Sequence, residues 1–356
     1  MAAPPREMLL DITPRARFDM IDVTARVREQ HGDVFTDYRQ TFCCSFHTTA
    51  GYLDQSFCAA LGYSERRLRQ FLRIYQQLFP PNAGYFHDCM PLRTELSACA
   101  KAHEPPNADS HLTFMSAGLQ NCVTYTNTAN IPIYFIDLDG IYKDYRRTRR
   151  TTILVYNQEA VVYRGRFAIP TQTAHALDTF NLRDPRYGLF AHLHHVIEVY
   201  GIAQGRIDIR LAPEEHHVAL TVNEYETLLM RNDLPAVFRD PLRYMVQRSK
   251  ALLRHPGAIP AKMRDYTIYD LIHLYNEVMD NVQIGRSLIE KGLSFLSGPA
   301  ARLFRLQRCI HLFISGSGAA ERERIMHGLY QSPILLQHQQ AEHGVRWLEI
   351  TLWAFR

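Results

Sequence analysis

The sequence predicts an α+β fold: a mixed strand-and-helix domain over residues 16–165, preceded by a loose arm over 1–15 and followed by a mainly helical region with a few strands over 166–356. Three observations predict it. Short runs rich in Val, Ile, Thr, Phe and Cys recur through the first half, bounded by Gly, Asp and Asn. Among them stands one strongly amphipathic helix, over residues 65–79. Beyond Arg166 the apolar residues fall at helical spacing instead, over 189–201, 235–255, 267–294 and 299–314.

Residues 18–23 read as a short strand, and Thr24 as the cap of a helix that runs to His31 and ends on Gly32. Residues 40–46 form a second strand that delivers His47 at its end. Ser64 caps the amphipathic helix, whose stripe is Leu68, Phe71, Leu72, Tyr75 and Leu78, and Pro80-Pro81 stops it. Asp109 or Ser110 caps a short helix carrying His111. Strands over 122–125, 131–137 and 151–156 close the half, with 160–163 as a fourth. The turn Asp139-Gly140 and a basic run, 143–150, separate the second from the third. In the later region residues 207–211, 218–222 and 345–355 read as strands. The last is apolar on both faces, Leu348, Ile350 and Leu352 on one and Trp347 and Trp353 on the other, as expected of a strand buried in a core or at a subunit contact.

At 356 residues, with 46% hydrophobic and 21% charged, the chain has the material for two domains with real cores. A formal charge of +4 is too slight for a nucleic-acid footprint. No signal-peptide order opens the chain, and no apolar run approaches the ~18 residues of a membrane span. Seven cysteines without a CxxC spacing argue for reduced thiols and a cytoplasmic protein.

Three segments of the first half carry chemistry: His47-Thr48-Thr49-Ala50-Gly51, Tyr85-Phe86-His87-Asp88 and Asn107-Ala108-Asp109-Ser110-His111-Leu112. Imidazoles from His47, His87 and His111 would suit a divalent metal of the borderline type, zinc first, and leave a position for water or substrate. Asp109 would orient a ring or act as general base beside His111. Thr48, Thr49 and Asn107 would offer donors to an anionic substrate near a helix N-terminus. The spacing is not a recognised metal signature such as HExxH, and 17 histidines are available by composition.

The order of these segments resembles the YjbQ-type family, described as secondary thiamine-phosphate synthases. H-T-T-A is matched by residues 47–50, Tyr-x-His by Tyr85 and His87, and N-A-D-x-H-L by residues 107–112. A looser F-x-D-I-T-x-x-V lies at 18–27, Gly118 fits a family glycine, and F-I-D-L-D-G at 135–140 fits the closing strand. The resemblance covers the first half only. It implies a three-layer β/β/α fold, a trimeric assembly, a site built on the three histidines and a thiamine-phosphate-synthase-like transferase. The family's G-T-W-Q is replaced by Thr128, Ala129, Asn130 and Ile131. Its Asn-Glu pair after H-T-T-A is absent, with Asp54, Gln55 and Ser56 in that stretch.

Secondary candidates are weaker. The basic run reads first as a solvated hairpin tip, although Arg146 and Arg147 within it would hold an anionic substrate. His192, His195 and Glu198, and likewise Asp270, His273, Glu277 and Asp280, read as wet helix faces. Residues 214–224 loosely repeat the H-T-T-A-x-x-T-I-N-E pattern, including its Asn-Glu. With no second N-A-D-x-H following, chance is the preferred reading over a decayed duplication. Two functions follow. One is a metal-dependent enzyme, transferase or hydrolase, on a small phosphorylated or heterocyclic substrate. The other is a catalytically altered ligand-binding or assembly protein whose helical half contacts a partner. Expected partners are an anionic small molecule and further copies of the chain, with neither nucleic acid nor membrane.

Overall fold

Alternation sets the first element of the computed structural model, which describes residues 3–94, 96–173, 177–225, 227–245, 247, 304–316 and 324–356. Met8, Leu10 and Ile12 are buried between Glu7, Leu9 and Asp11, the period of two of a half-covered strand, so β1 (Arg6–Ile12) stands where a loose arm was expected. β2 (Asp19–Asp22) leads into α1 (Val23–His31). Asp22, not Thr24, caps that helix by accepting from Ala25 N at 3.1 Å; Thr24 Oγ1 accepts from Ile133 N instead, at 2.9 Å. β3 (Gln40–Ser45) and β4 (Ala50–Gly51) flank His47. Four helices follow, α2 (Gln55–Ala60), α3 (Glu65–Leu78), α4 (Ala98–His103) and α5 (Ala108–Ser116). β5 (Cys122–Thr126), β6 (Tyr134–Asp137), the hairpin β7 (Ile141–Tyr142) and β8 (Tyr145–Arg146), and β9 (Arg149–Tyr156) complete the half.

Among the described residues, the later half is not mainly helical. The described elements there are β10 (Glu159–Pro170), β11 (Asp178–Asn181), α6 (Leu189–Val199), β12 (Gly205–Leu211), β13 (Val218–Asn223), a π-turn at Leu229–Asp233, α7 (Leu234–Arg239), β14 (Cys309–Ile314), β15 (Ile325–Met326), β16 (Ser332–Gln337) and β17 (Val345–Phe355). The helix expected over 299–314 is strand from Cys309, because a short apolar run has no period that separates the two and pairing with β12 decides. The helix expected over 267–294 lies outside the described residues.

By contact density the chain forms two compact units. The first holds Met1–Gln55, Leu119–Tyr225 and Leu306–Arg356. Its sheets run β1-β9-β3-β5 and β2-β6-β4 in the first half, then β10-β17-β12-β14-β15 and β11-β16-β13 in the second. The same antiparallel order is thus drawn twice, with one added edge strand. The registers agree residue by residue. Asp19 faces Asp137 as Asp178 faces Gln337, and Ile12 faces Arg149 as Ile169 faces Arg346. The isolated bridge Tyr52–Gln120 recurs as Leu220–Gln307. Residues 214–224 therefore lie, in the repeated strand order, at the positions equivalent to residues 46–56.

The copies pack through an apolar cluster. Phe42, Cys44, Cys122, Leu154 and Tyr156 of the first meet Phe313 and Phe355 of the second. Tyr156 and Phe355 stack with centroids 4.0 Å apart and planes 16° from parallel. At Gly328 the backbone of the second copy comes so close to the Phe46 carbonyl that a Cβ would collide with it. Next to this approach, Gln331 Nε2 donates to Ser45 O and His47 O, both at 3.0 Å.

The second unit, Ser56–Gly118 with Glu226–Arg305, is built on α3. Ser64 caps it as expected, and Leu68, Phe71, Leu72, Tyr75 and Leu78 are all buried. Phe71 meets Phe57 and Tyr75 at 4.6 and 5.3 Å between centroids. α5 packs on α3 and is buried along its whole length, which explains why its sequence lacks a clean polar face. No helix among the described residues is long and apolar enough to cross a membrane, and all seven cysteines are free thiols.

Candidate metal centre

His87 and His111 meet inside the second unit, their rings 5.2 Å apart between centroids and 73° from parallel, both fully buried. Their backbones are fixed by carboxylates. Asp233 accepts from Phe86 N at 2.9 Å and His87 N at 2.8 Å, and also from the Tyr244 hydroxyl. Asp88 Oδ1 accepts from Ala108 N at 3.0 Å, anchoring the first turn of α5. Asn107, at the helix cap, accepts from Ser110 N and His111 N through its carbonyl, at 3.0 and 3.2 Å. One hydrogen-bonded frame thus sets the loop bearing His87 and the helix bearing His111.

The imidazole of His87 has a defined character. Its Nε2 lies 3.2 Å from Asn107 Oδ1 and 3.4 Å from Arg93 Nη1. With the amide oxygen accepting, Nε2 carries the proton and the lone pair sits on Nδ1. That Nδ1 is buried and has no hydrogen-bond partner. Burial, then the neighbouring His111 and the Arg93 guanidinium, hold the ring well below the usual imidazole range, so it is neutral at pH 7. A neutral ring, oriented by an amide on one nitrogen and offering a lone pair on the other, is the state a metal ligand needs. Burial also raises Asp88 to about 7, partly offset by its bond from Ala108 N and reinforced by Asp109 and Asp233. Asp109, in the first turn of α5, is buried with His111.

The remaining sequence candidates lie in the first unit. His47 is engaged as a structural acceptor: its Nε2 receives Arg150 N–H at 2.7 Å. Burial, then Arg149 and Arg147, depress it to about 3. The second copy makes the same contact with a different residue. By the shared register Glu215 occupies the place of His47, and its Oε1 accepts from Trp347 N at 2.7 Å. Around it, Arg149 grips Asp137 with two bonds of 2.7 and 2.8 Å and Asp139 O with a third, while Arg346 grips Gln337, Glu215 and Gln339 O. The position occupied by His47 is thus a framework acceptor in both copies.

Thr49 Oγ1 accepts from Arg149 at 3.3 Å, and Thr48 Oγ1 donates to Glu224 Oε1 at 3.3 Å. Asn223 Nδ2 donates to Thr48 O at 3.4 Å. Arg146 is exposed on the hairpin, and Arg147 is committed to the fully buried Asp139 at 3.2 Å. Within the second unit, His87 and His111 are the two metal-type donors brought together. Glu224 carried a sequence signal, the Asn-Glu ending of residues 214–224. Asp233, Tyr244 and Arg93 carried none, since an isolated acid, phenol or arginine in an irregular stretch has no pattern to announce its contacts.

No family model matches the chain, and no curated protein does. Several solved structures are similar. A protein from Sulfolobus solfataricus described as YbjQ-like and of unknown function is 13% identical, with 55% of this chain and 99% of that one covered and a TM-score of 0.29. A hypothetical protein from Aeropyrum pernix K1 is 14% identical over 54% of this chain and 98% of its own, with a TM-score of 0.28. An uncharacterised conserved protein of the yjbq/upf0047 family from Clostridium acetobutylicum is 15% identical over 41% of this chain and 97% of its own, again with a TM-score of 0.28. Over about half of its length, then, this chain is similar to YjbQ-like proteins.

Proposed function

We propose that the protein is a metal-dependent enzyme acting on a small anionic substrate, with His87 and His111 as imidazole ligands. The observation that carries the reading is His87 Nδ1, a buried nitrogen with no hydrogen-bond partner on a ring fixed through its other nitrogen. Two buried imidazoles are ligands of the type zinc takes, and leave further positions for water or substrate. A zinc ion bound there would supply a water acidified to about pKa 7 and a Lewis acid for a carbonyl or phosphoryl oxygen.

The chain's own groups have separate tasks. Asn107, accepting from Nε2–H, holds His87 in one tautomer. Asp109, one turn into α5, serves as base or orienter for His111. Asn107 stands beside the histidine pair, while on the hairpin of the first unit Arg146 is an exposed cation and Arg147 is tied to Asp139. His47 supports the strand end that presents Thr48 and Thr49, in place of the ligand role expected from sequence. A thiamine-phosphate-synthase-like transfer is the narrower form of the proposal, tested by complementing a thiamine-requiring strain. The binding-protein alternative, suggested by Thr128–Ile131 replacing G-T-W-Q, keeps the metal and shows no turnover.

Metal analysis of the purified protein tests the core of the reading. Stoichiometric zinc is expected, and it should be lost in His87→Ala and His111→Ala. A wild-type protein without metal after exposure to zinc overturns it.

A further inference from the structure

Within the first unit, one sheet face is apolar and covered in the first copy but charged and open in the second. We infer that the second copy uses this face to bind a small aromatic anion, a planar ring carrying a phosphate, held by Arg164, Arg166 and Arg210 beside Trp353. Every residue invoked belongs to the first unit, and the cleft is independent of the histidine pair.

The registers fix which positions correspond. On β17, Thr351 faces Asp208 of β12 and Arg164 of β10, and Glu349 faces Arg210 and Arg166. The matching rungs of the first sheet are Leu154, which faces Phe42 and Glu7, and Thr152, which faces Cys44 and Leu9. Positions two apart along a strand share a face, so each set lies on one side of its sheet. In the first copy Phe42, Cys44 and Leu154 are buried in the cluster that joins the copies. Glu7 is covered as well, accepting from Gln204 Nε2 at 3.2 Å and Ser315 Oγ at 2.8 Å. In the second copy Arg164, Arg166 and Arg210 replace Glu7, Leu9 and Cys44, while Asp208 and Thr351 replace Phe42 and Leu154.

A face that packs against protein gains nothing from three added guanidinium groups. Here they line a cleft of about 530 Å³ together with Glu349, Thr351 and Trp353. That size falls within the roughly 300–1,000 Å³ of small-molecule sites. Asp208 is committed to its own neighbours: Arg206 Nε donates to it at 2.8 Å, Trp353 Nε1 donates at 2.7 Å, and His311 Nδ1 lies 2.6 Å away. Arg166 pairs with Glu214 and lies over the Trp347 ring, 5.1 Å from its centroid. Arg164 and Arg210 make no hydrogen bond or ion pair among the described residues. A guanidinium whose donors are uncommitted is the group that grips a phosphate with two parallel bonds.

The aromatic wall is fixed in advance. The Trp353 indole is held through Nε1 by Asp208, and the Arg206 guanidinium lies 4.9 Å from its centroid. A fixed ring beside cations favours a ligand that is both planar and anionic over a bare phosphate.

The chain has two tryptophans, Trp347 and Trp353, and both lie on this face, so tryptophan fluorescence of the full-length protein reports on the cleft. Adenosine monophosphate, titrated by fluorescence and calorimetry, should bind once per chain with a dissociation constant below about 1 mM. Adenosine and inorganic phosphate each carry half of the recognised chemistry and should bind at least ~10-fold more weakly. Arg164→Glu and Arg210→Cys place the first copy's residues at exposed positions, and each should weaken binding by at least ~10-fold. Arg186→Ala, at an exposed arginine outside the cleft, should leave affinity unchanged. Melting curves confirm that each variant is folded, and either arginine variant carries the test if the other is not. No binding of adenosine monophosphate overturns the inference, as does wild-type affinity in Arg164→Glu and Arg210→Cys. Adenosine binding as tightly as its phosphate overturns it too. A dimer in solution that Arg164→Glu dissociates assigns this face to a second copy of the chain and overturns it equally.

Discussion

Replacing His47 separates a framework role from a ligand role. Its Nε2 accepts the Arg150 N–H at 2.7 Å, and the second copy fills the same position with Glu215, accepting from Trp347 N at the same distance. In His47→Ala the amide loses its partner and the ring leaves a space behind strand β9. Arg150 is exposed, so the loss is that of one ordinary hydrogen bond, about 0.5–1.5 kcal/mol. At roughly 2–4 °C per kcal/mol for a unit of this size, the melting temperature should fall by about 1–6 °C. His47→Glu imports the second copy's solution, an acceptor beside the Arg149 guanidinium, and should recover at least half of the loss. Both variants should keep their zinc. Calorimetry paired with metal analysis reads both quantities. The reasoning fails if His47→Glu is no more stable than His47→Ala, or if His47→Ala sheds its metal while its melting temperature holds.

Two other outcomes follow from buried polar groups. Arg149→Met strands the fully buried Asp137, so it should cost about 3–5 kcal/mol in urea unfolding, with much of that returned in the double variant Arg149→Met/Asp137→Leu; equal instability of the single and double variants refutes the pairing. His338 is depressed to about 3 by burial, with His217 and Arg346 contributing, so the folded state refuses a proton that the unfolded state takes up near 6.5. Its contribution is intact above pH 6.5 and falls by about 1.4 kcal/mol per unit between 6.5 and 3, or about 2 kcal/mol at pH 5. His338→Leu copies the equivalent Leu138 and should flatten that acid limb by one proton; an unchanged slope of stability against pH refutes it.

Local pattern made part of this fold legible. The 65–78 helix, its Ser64 cap, the strands at 40–45 and 345–355 and the helix bearing His111 all follow from spacing that a dozen residues carry by themselves. The candidate site was legible in its motifs: the Tyr-x-His and N-A-D-x-H-L contexts picked out His87, Asn107, Asp109 and His111, which the second unit gathers around the His87–His111 pair. β1 was missed because seven residues of alternation among prolines and charges are a faint signal, and β14 because an apolar run of six has no decisive period.

What the sequence determined by itself, then, is which segments prefer to be helix or strand and which residues have the chemistry of a metal site. Tertiary structure alone decided that the second half repeats the first, and that His47 is a framework acceptor. The physical reason is that strand order and register are written in main-chain hydrogen bonds, which any β-compatible residue can make. Asp208 stands where Phe42 does, Gln337 where Asp137 does and Glu215 where His47 does, and the ladder is unchanged. Side-chain identity can therefore drift beyond recognition while the pairing that defines the copy persists.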